Sequence, residues 1–137
     1  FAFLGVAVIC GTALMGDDIA GICQSVMVIP VCVSDASGFN GDADRGWSDA
    51  MISLLRKVPH FSEKKQAGKI NVIGQCILDP ASDESWENVL FIPGGQLMTY
   101  GELSLLSEAE RNVVVHPRGL AVARWLEEHA HVPYSIQ

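Results

Sequence analysis

The alternation of strand-like and helix-like segments constrains the fold of this chain more than any other sequence feature. Residues 1–10 form a continuous apolar run that ends before Gly11, a pattern typical of a strand buried on both faces of a parallel sheet. Two aspartates then favour a helix over 17–26, and the apolar segment 27–33 predicts a second strand with Pro30 near its edge. The first third of the chain therefore reads as strand, helix, strand.

The same alternation continues to the end of the chain. Apolar positions in 47–57 have helical spacing, while 59–68 are polar and predict a linker. Thr99 and Glu102 have the spacing of a capping box at the start of a helix. We predict further strands at 70–74, 88–93, 112–116 and 132–136, and helices at 99–109 and 119–130.

This order of elements predicts an α/β fold, Rossmann-like, with mainly parallel sheets and flanking helices. We expect residues 1–58 to be the C-terminal part of a first Rossmann-like domain and residues 69–137 to form a second, joined by the linker 59–68. The chain also begins inside an apolar strand without an initiator Met, which indicates a fragment of a longer protein.

Two connections look shorter than an α/β fold normally requires. The predicted helix 17–26 runs directly into the predicted strand 27–33, whereas such turns usually take about 2–6 residues. The crossover over 77–87 is equally tight. We therefore hypothesise that residues are missing near Val26 and Met27 and near 82–86.

Charge and composition exclude several classes of protein. The 137 residues carry a formal charge of -7, and the pI is about 4.9, which argues against a protein that binds the phosphate backbone of nucleic acids. The apolar run 1–10 is half of the roughly 20 residues needed to span a membrane, and no basic segment precedes it. We predict a cytoplasmic protein without a nucleic-acid or membrane partner.

Cys10 is the first candidate functional residue. The four cysteines form no C-x-x-C pair, so neither a zinc knuckle nor a disulfide framework is indicated. Cys10 follows a predicted strand and precedes a predicted helix, which places it at the sheet edge where α/β proteins bind ligands. The thiol could be a metal ligand or a nucleophile there, or a small buried side chain with no such role.

His116 and Arg118 are the second candidate pair, because they also lie between a predicted strand and a predicted helix. Both side chains could contact an anionic cofactor or substrate. The alternative is a polar turn in which Pro117 and Gly119 shape the backbone. Asp17 and Asp18 are better explained as helix caps than as an acid/base pair, because adjacent helical side chains do not face each other.

Several motifs of this chain resemble a known family. Residues 10–19 read C-x-x-x-L-[IM]-G-D-D-I, and an I-P-V strand and a Gly38-Phe39 turn follow. Later segments match the pattern A-x-x-N-[LV]-V, then a glycine, L-E-E and V-P-Y, over 109–134. In this order they resemble the nitrogenase component 1 type oxidoreductase family over most of the chain.

The resemblance implies a function and a set of partners. Members of the family bind an iron-sulfur cluster at an interface with a homologous component 1 subunit, and the cysteine of the first motif is a ligand, which assigns Cys10 to the metal. They accept electrons from an ATP-dependent iron-sulfur reductase and pass them to a metal centre or a substrate. Other family ligands lie upstream of this motif, and Cys23, Cys32 and Cys76 match none of them. The chain alone is therefore expected to hold an incomplete ligand set.

Two other functions stay open at this point. The same family includes scaffolds on which iron-sulfur and other metal cofactors are assembled and from which they are handed over without turnover of a substrate. A chain of this pattern could also be a small-molecule-binding α/β domain in which Cys10 is buried and inert.

Overall fold

A computed structural model of the chain describes residues 4–39, 41–79 and 86–137. The chain divides into two compact units between Lys57 and Val58, and each unit has its own parallel sheet. In the described part of the chain, no helix is long and apolar enough to cross a membrane.

The first unit contains a two-stranded parallel sheet and three helices. Strands β1 and β2 pair in register from Leu4 with Val31 to Val8 with Asp35. Helices α1 and α2 connect them, and α3 packs against β2. The elements are β1 (Leu4–Val8), α1 (Cys10–Met15), α2 (Ile19–Val26), β2 (Val31–Asp35) and α3 (Ala43–Leu55).

The apolar sequence of β1 predicts a strand that is buried on both faces, but in the structure β1 is not buried on both faces. Each of its five residues is exposed or half-buried, because β2 is its only neighbour in the described sheet. The strand ends at Val8, and the unpredicted helix α1 begins at Cys10. Gly16 ends α1 in the left-handed conformation, at φ 70°. The Asp18 carboxylate then accepts a hydrogen bond from the Gly21 N–H, which confirms Asp18 as a helix cap.

Strand β2 begins later than predicted, at Val31 rather than Met27. Residues 27–30 are the connection from α2, and Val28 is fully exposed. The connection therefore has ordinary length for an α-to-β turn. The idea that residues are missing near Val26 and Met27 rested on the wrong start of this strand.

The second unit contains a four-stranded sheet in the order β4-β3-β5-β6, in which every neighbouring pair is parallel. Parallel sheets with flanking helices in both units confirm the predicted fold class. The elements are β3 (Gln66–Ile73), β4 (Val89–Phe91), a 3₁₀ helix (Tyr100–Glu108), β5 (Ala109–Val114), a short 3₁₀ helix (Pro117–Gly119), α4 (Leu120–Ala130) and β6 (Tyr134–Ile136).

Several details of the second unit differ from the sequence prediction; strand β5, for example, covers Ala109–Val114 rather than 112–116. Strand β3 begins at Gln66, inside the segment 59–68 that reads as a linker. The capping box at Thr99 and Glu102 is present, but it opens a 3₁₀ helix. Most of the predicted gap near 82–86 lies outside the described residues.

The core of the second unit lies between its sheet and α4. Most of its fully buried side chains are apolar; the polar exceptions include Ser107 and two asparagines in the centre of the sheet, Asn71 on β3 and Asn112 on β5. The apolar members include Val72, Ile73, Leu106, Val122, Leu126 and Val132. This core holds the carboxyl ends of β3 and β5 beside the start of α4.

Glu108 joins the start of β3 to the end of the 3₁₀ helix, and it makes the stability of the second unit depend on pH. Its carboxylate accepts hydrogen bonds from Gln66 and Ser62, both at 2.7 Å, and these bonds lower the pKa of Glu108. A carboxylate with a lowered pKa stabilises the fold above its unfolded-state pKa, and this contribution is lost as the pH falls through the folded-state pKa.

We therefore expect the free energy of unfolding to fall as the pH is lowered below about 4.5. Glu108→Gln should reduce this pH dependence, because an amide does not titrate. Urea denaturation between pH 3 and pH 7 measures the effect, and Glu127→Gln, on the exposed face of α4, is the matched control. Parallel pH profiles for wild type and Glu108→Gln would contradict the assignment.

Candidate functional site

The carboxyl edge of the first sheet carries the Cys10 thiol. Strands β1 and β2 end at the same edge because they are parallel, so α1 and the loop after β2 start side by side. Cys10 is the first residue of α1 and is exposed. Its Sγ accepts a hydrogen bond from the Gly38 backbone N–H at 3.2 Å. A hydrogen bond to this sulfur atom thus joins the segments that follow β1 and β2.

The exposure of Cys10 separates it from the other cysteines. Cys32 on β2 is buried, and burial raises its pKa, whereas Cys23 and Cys76 are half-buried. The alternative in which Cys10 is a buried side chain is therefore wrong as regards its burial.

The thiol and its N–H donor suit one position of an iron-sulfur site. Iron-sulfur clusters are held by thiolates, and hydrogen bonds to the sulfur tune the reduction potential. Among the described residues, no group of three or more His, Cys, Asp or Glu side chains could hold a metal ion. The described chain fits a single ligand of a cluster and does not fit a complete site.

A cleft of about 300 Å³ lies beside the Gly38 loop, between the end of β2 and the start of α3. Its lining includes three aspartates and one arginine, Asp35, Asp42, Asp49 and Arg45. Two of these carboxylates are used locally: Asp35 accepts from the Ser37 N–H and Asp42 caps α3 through the Arg45 N–H. Because three carboxylates face one guanidinium in its lining, the charge of this cleft disfavours the binding of a phosphate.

The carboxyl edge of the second sheet carries His116 and Arg118. Strand β3 has β4 on one side and β5 on the other, so the connections that follow β3 and β5 leave the sheet edge in different directions. A parallel sheet opens a crevice at such a switch point, and ligands of α/β proteins commonly bind there. The structure brings the two predicted residues together at this crevice.

Arg118 makes a paired contact with a carboxylate from the loop after β3. Its Nη1 lies 3.0 Å from Asp79 Oδ1 and 3.2 Å from Asp79 Oδ2. Its Nε donates to His116 Nδ1 at 3.1 Å, which requires that ring nitrogen to be unprotonated. The backbone N–H of Cys76 and the Arg118 guanidinium together lower the pKa of Asp79. Asp79 is therefore a carboxylate anion at neutral pH.

Two residues of these sites were not identified from the sequence. Gly38 was recognised only as part of a turn, and Asp79 was not singled out. Asp79 is a charged residue in the loop after the strand that ends near Gly74, but its contact with Arg118, 39 residues away, has no local sequence signal. Cys10 lies in the first unit, and His116 and Arg118 lie in the second.

The two parallel sheets and the polar residues at their carboxyl edges define a Rossmann-like α/β protein. The family model described as "Nitrogenase component 1 type Oxidoreductase" matches residues 2–136, and the chain belongs to this family. The resemblance found in the motifs is thereby confirmed. No curated protein matches the chain.

Two solved structures show the same fold. A structure titled "Nitrogenase Cp1 at pH 5" is 22% identical, with a TM-score of 0.74, and the match covers 98% of this chain and 30% of that one. A second, titled "Nitrogenase Cp1 at pH 6.5", is 21% identical with a TM-score of 0.71 and covers 98% and 28%. The chain thus spans less than a third of the length of these structures.

Proposed function

We propose that this chain is part of a component 1 type oxidoreductase subunit that works in the cytoplasm. The subunit accepts electrons from an ATP-dependent iron-sulfur reductase. It passes them through an iron-sulfur cluster to a metal centre or a bound substrate. One observation carries this proposal: the exposed Cys10 Sγ at the edge of a parallel sheet, with the Gly38 N–H directed at it.

Cys10 would hold one iron of the cluster through its thiolate. The bound cluster supplies one-electron storage and transfer. The Gly38 N–H withdraws electron density from the sulfur, which favours the reduced cluster and raises the reduction potential. The remaining ligands come from outside the described residues, including a homologous component 1 subunit. This division accounts for an exposed thiol that has no cluster of further ligands among the described residues.

His116 and Arg118 are proposed to contact a cofactor or substrate in the second unit. Arg118 supplies fixed positive charge, and His116 supplies a nitrogen that is oriented by its contact with Arg118. The switch-point position of the pair supports this role.

Iron content after anaerobic purification tests the role of Cys10. We expect Cys10→Ala to lose most of the iron and acid-labile sulfide that the wild-type protein carries with its partner subunits, together with the cluster's electron paramagnetic resonance signal. Cys76→Ala is the matched control, since this half-buried thiol has no proposed ligand role. Unchanged iron in Cys10→Ala would remove the ligand assignment. A wild-type protein that gives its iron to an acceptor apoprotein, and takes no electrons from a reductase, would instead be an assembly scaffold.

A further inference from the structure

We propose that the switch-point crevice of the second unit binds a small carboxylate, and that the Asp79 side chain occupies the position of the ligand's carboxylate until the ligand binds. The proposal deepens the proposed function, because it rests on His116 and Arg118 as ligand-contacting residues and names the class of ligand. Four features of the structure carry it.

The first feature is the position of Arg118. It lies in the short 3₁₀ helix between β5 and α4, and Gly119 beside it packs against the end of β3. The Arg118 side chain is only 15% exposed. An arginine held this deeply at a switch point is placed for a ligand rather than for a surface ion pair.

The second feature is the partner that Arg118 has. The Arg118 guanidinium holds this carboxylate through one nitrogen, since both Asp79 oxygens lie within 3.2 Å of Nη1, and its Nε is held by His116. The site therefore already binds a carboxylate, which is supplied by the chain itself. A carboxylate from solution would use the same donor atoms and must compete with Asp79.

The third feature is the low cost of releasing Asp79. Its Oδ2 also accepts a hydrogen bond from the Cys76 backbone N–H at 2.7 Å, within a turn closed by a hydrogen bond from the Asp79 N–H to the Cys76 carbonyl. The Asp79 side chain is 33% exposed. When Arg118 turns to a ligand, the Asp79 carboxylate keeps its N–H donor and reaches water, so no buried charge is left alone.

The fourth feature is a cavity of about 240 Å³ at the same sheet edge. His116 joins it to the ion pair, because this residue both lines the cavity and contacts Arg118. The rest of the lining is mostly apolar, with Val114, Val115, Pro117, Leu120 and Ile136. Sites for drug-sized molecules occupy about 300–1,000 Å³, so this cavity suits a short aliphatic chain. The ligand class is therefore a small carboxylic acid with an apolar tail.

Sodium butyrate is the probe that tests the proposal, with binding followed by the Arg118 Nε–H signal in ¹H–¹⁵N NMR at constant ionic strength. We expect Asp79→Asn to bind butyrate at least about tenfold more tightly than wild type, because the competing carboxylate is gone. Arg118→Gln should lose binding, measured on the backbone signals around residue 116. Arg45→Gln is the matched control, since it breaks an exposed arginine–aspartate pair in the first unit.

Three outcomes would overturn the proposal. The first is that neither wild type nor Asp79→Asn binds butyrate more tightly than about 10 mM. The others are that Arg118→Gln keeps the wild-type affinity for butyrate, or that Asp79→Asn binds inorganic phosphate more tightly than butyrate. Should Asp79→Asn fail to fold, Arg118→Lys in the wild-type background replaces it. An ammonium cannot contact His116 and a carboxylate through separate nitrogens as Arg118 does, so retained affinity in this variant contradicts the proposal. Cys10→Ala should bind butyrate like wild type. The two proposals can therefore fail independently: iron content tests the role of Cys10, and butyrate binding tests the carboxylate site at Arg118.

Discussion

Gly74→Ala is expected to lower the free energy of unfolding by about 2–4 kcal/mol, which is large for a change of one methyl group. Gly74 ends β3 at φ 107°, a conformation that L side chains rarely adopt. A Cβ there would also lie 2.9 Å from the His116 carbonyl oxygen and 3.1 Å from the His116 Cβ. Backbone strain and steric overlap therefore act together at this position.

Two other glycines separate these causes. Gly68 has a positive φ of 74° with open space around a Cβ, so Gly68→Ala should cost only the backbone strain, about 1–2 kcal/mol. Gly119 has φ -76°, but its Cβ would lie 2.6 Å from the Ile73 carbonyl oxygen, so Gly119→Ala tests overlap alone. Urea denaturation of the three variants measures the series. A cost for Gly74→Ala no larger than that for Gly68→Ala would show that the loops after β3 and β5 are not closely packed.

The close approach of Gly74 and Gly119 also explains the geometry of the crevice. It brings the loop that carries Asp79 beside the 3₁₀ helix that carries Arg118. Variants at either glycine should therefore alter the Asp79–Arg118 contact as well as the stability. The Arg118 Nη–H signals report this change, because Nη1 is the nitrogen that contacts Asp79.

Much of the second unit could be predicted from its sequence. Helix α4 follows the prediction closely, because its apolar period is regular and a proline and a glycine mark its start. Strand β5 was predicted as an element, but it covers Ala109–Val114 rather than 112–116. The capping box at Thr99 and Glu102 located a helix start but not the helix type, since a cap fixes only the first turn. Local sequence signals predicted an element correctly where the choice of conformation did not depend on tertiary packing.

The first unit was harder to predict from its sequence, because its apolar residues do not coincide with its strands and helices. Val28 belongs to an apolar run yet is fully exposed, whereas the Pro30 carbonyl accepts a hydrogen bond from the Leu4 N–H of β1. Helix α1 was missed because Gly11 and Thr12 favour helix weakly. Hydrophobicity alone could not show which residues find a neighbouring strand.

The candidate residues illustrate the same limit. His116 and Arg118 are two residues apart, so their contact follows from local sequence. Asp79 lies 39 residues from Arg118, and their contact depends on β5 pairing with β3. No local pattern encodes the order of strands in a sheet, which is why this half of the crevice could not be derived.

The second large effect is expected at the buried asparagines of the central strands. Asn71 and Asn112 are opposite each other in the β3–β5 register, and both are fully buried. Asn71 Nδ2 donates to Asn112 Oδ1 and to the Leu106 carbonyl, both at 2.8 Å. Asn71→Ala leaves both acceptors buried without this donor, so we expect a loss of about 2–4 kcal/mol in the free energy of unfolding.

A double-mutant cycle of Asn71→Ala and Asn112→Ala separates the interaction energy of the two amides from the cost of the lost side-chain volume. The two variants remove one shared hydrogen bond, so their combined cost should be smaller than the sum of the single costs by about 1–2 kcal/mol. Asn112→Ala also removes a weaker contact to the Val132 carbonyl at 3.3 Å, which the cycle cancels. Leu126→Ala, fully buried on α4, is the control for cavity formation alone. Additive costs for the asparagine pair would mean that each amide acts separately.

Coupling between the two amides would have a structural consequence for the crevice. A shift of one residue between β3 and β5 would turn one asparagine to the opposite face and leave the other unpaired. Asn71 Oδ1 already has no hydrogen-bond partner among the described residues, so the pair has little capacity to tolerate a slip. The register that aligns Asn71 with Asn112 also aligns Ile73 with Val114, and hence the loops that carry Asp79 and Arg118. A polar pair inside the sheet thus fixes the alignment on which the Asp79–Arg118 contact depends.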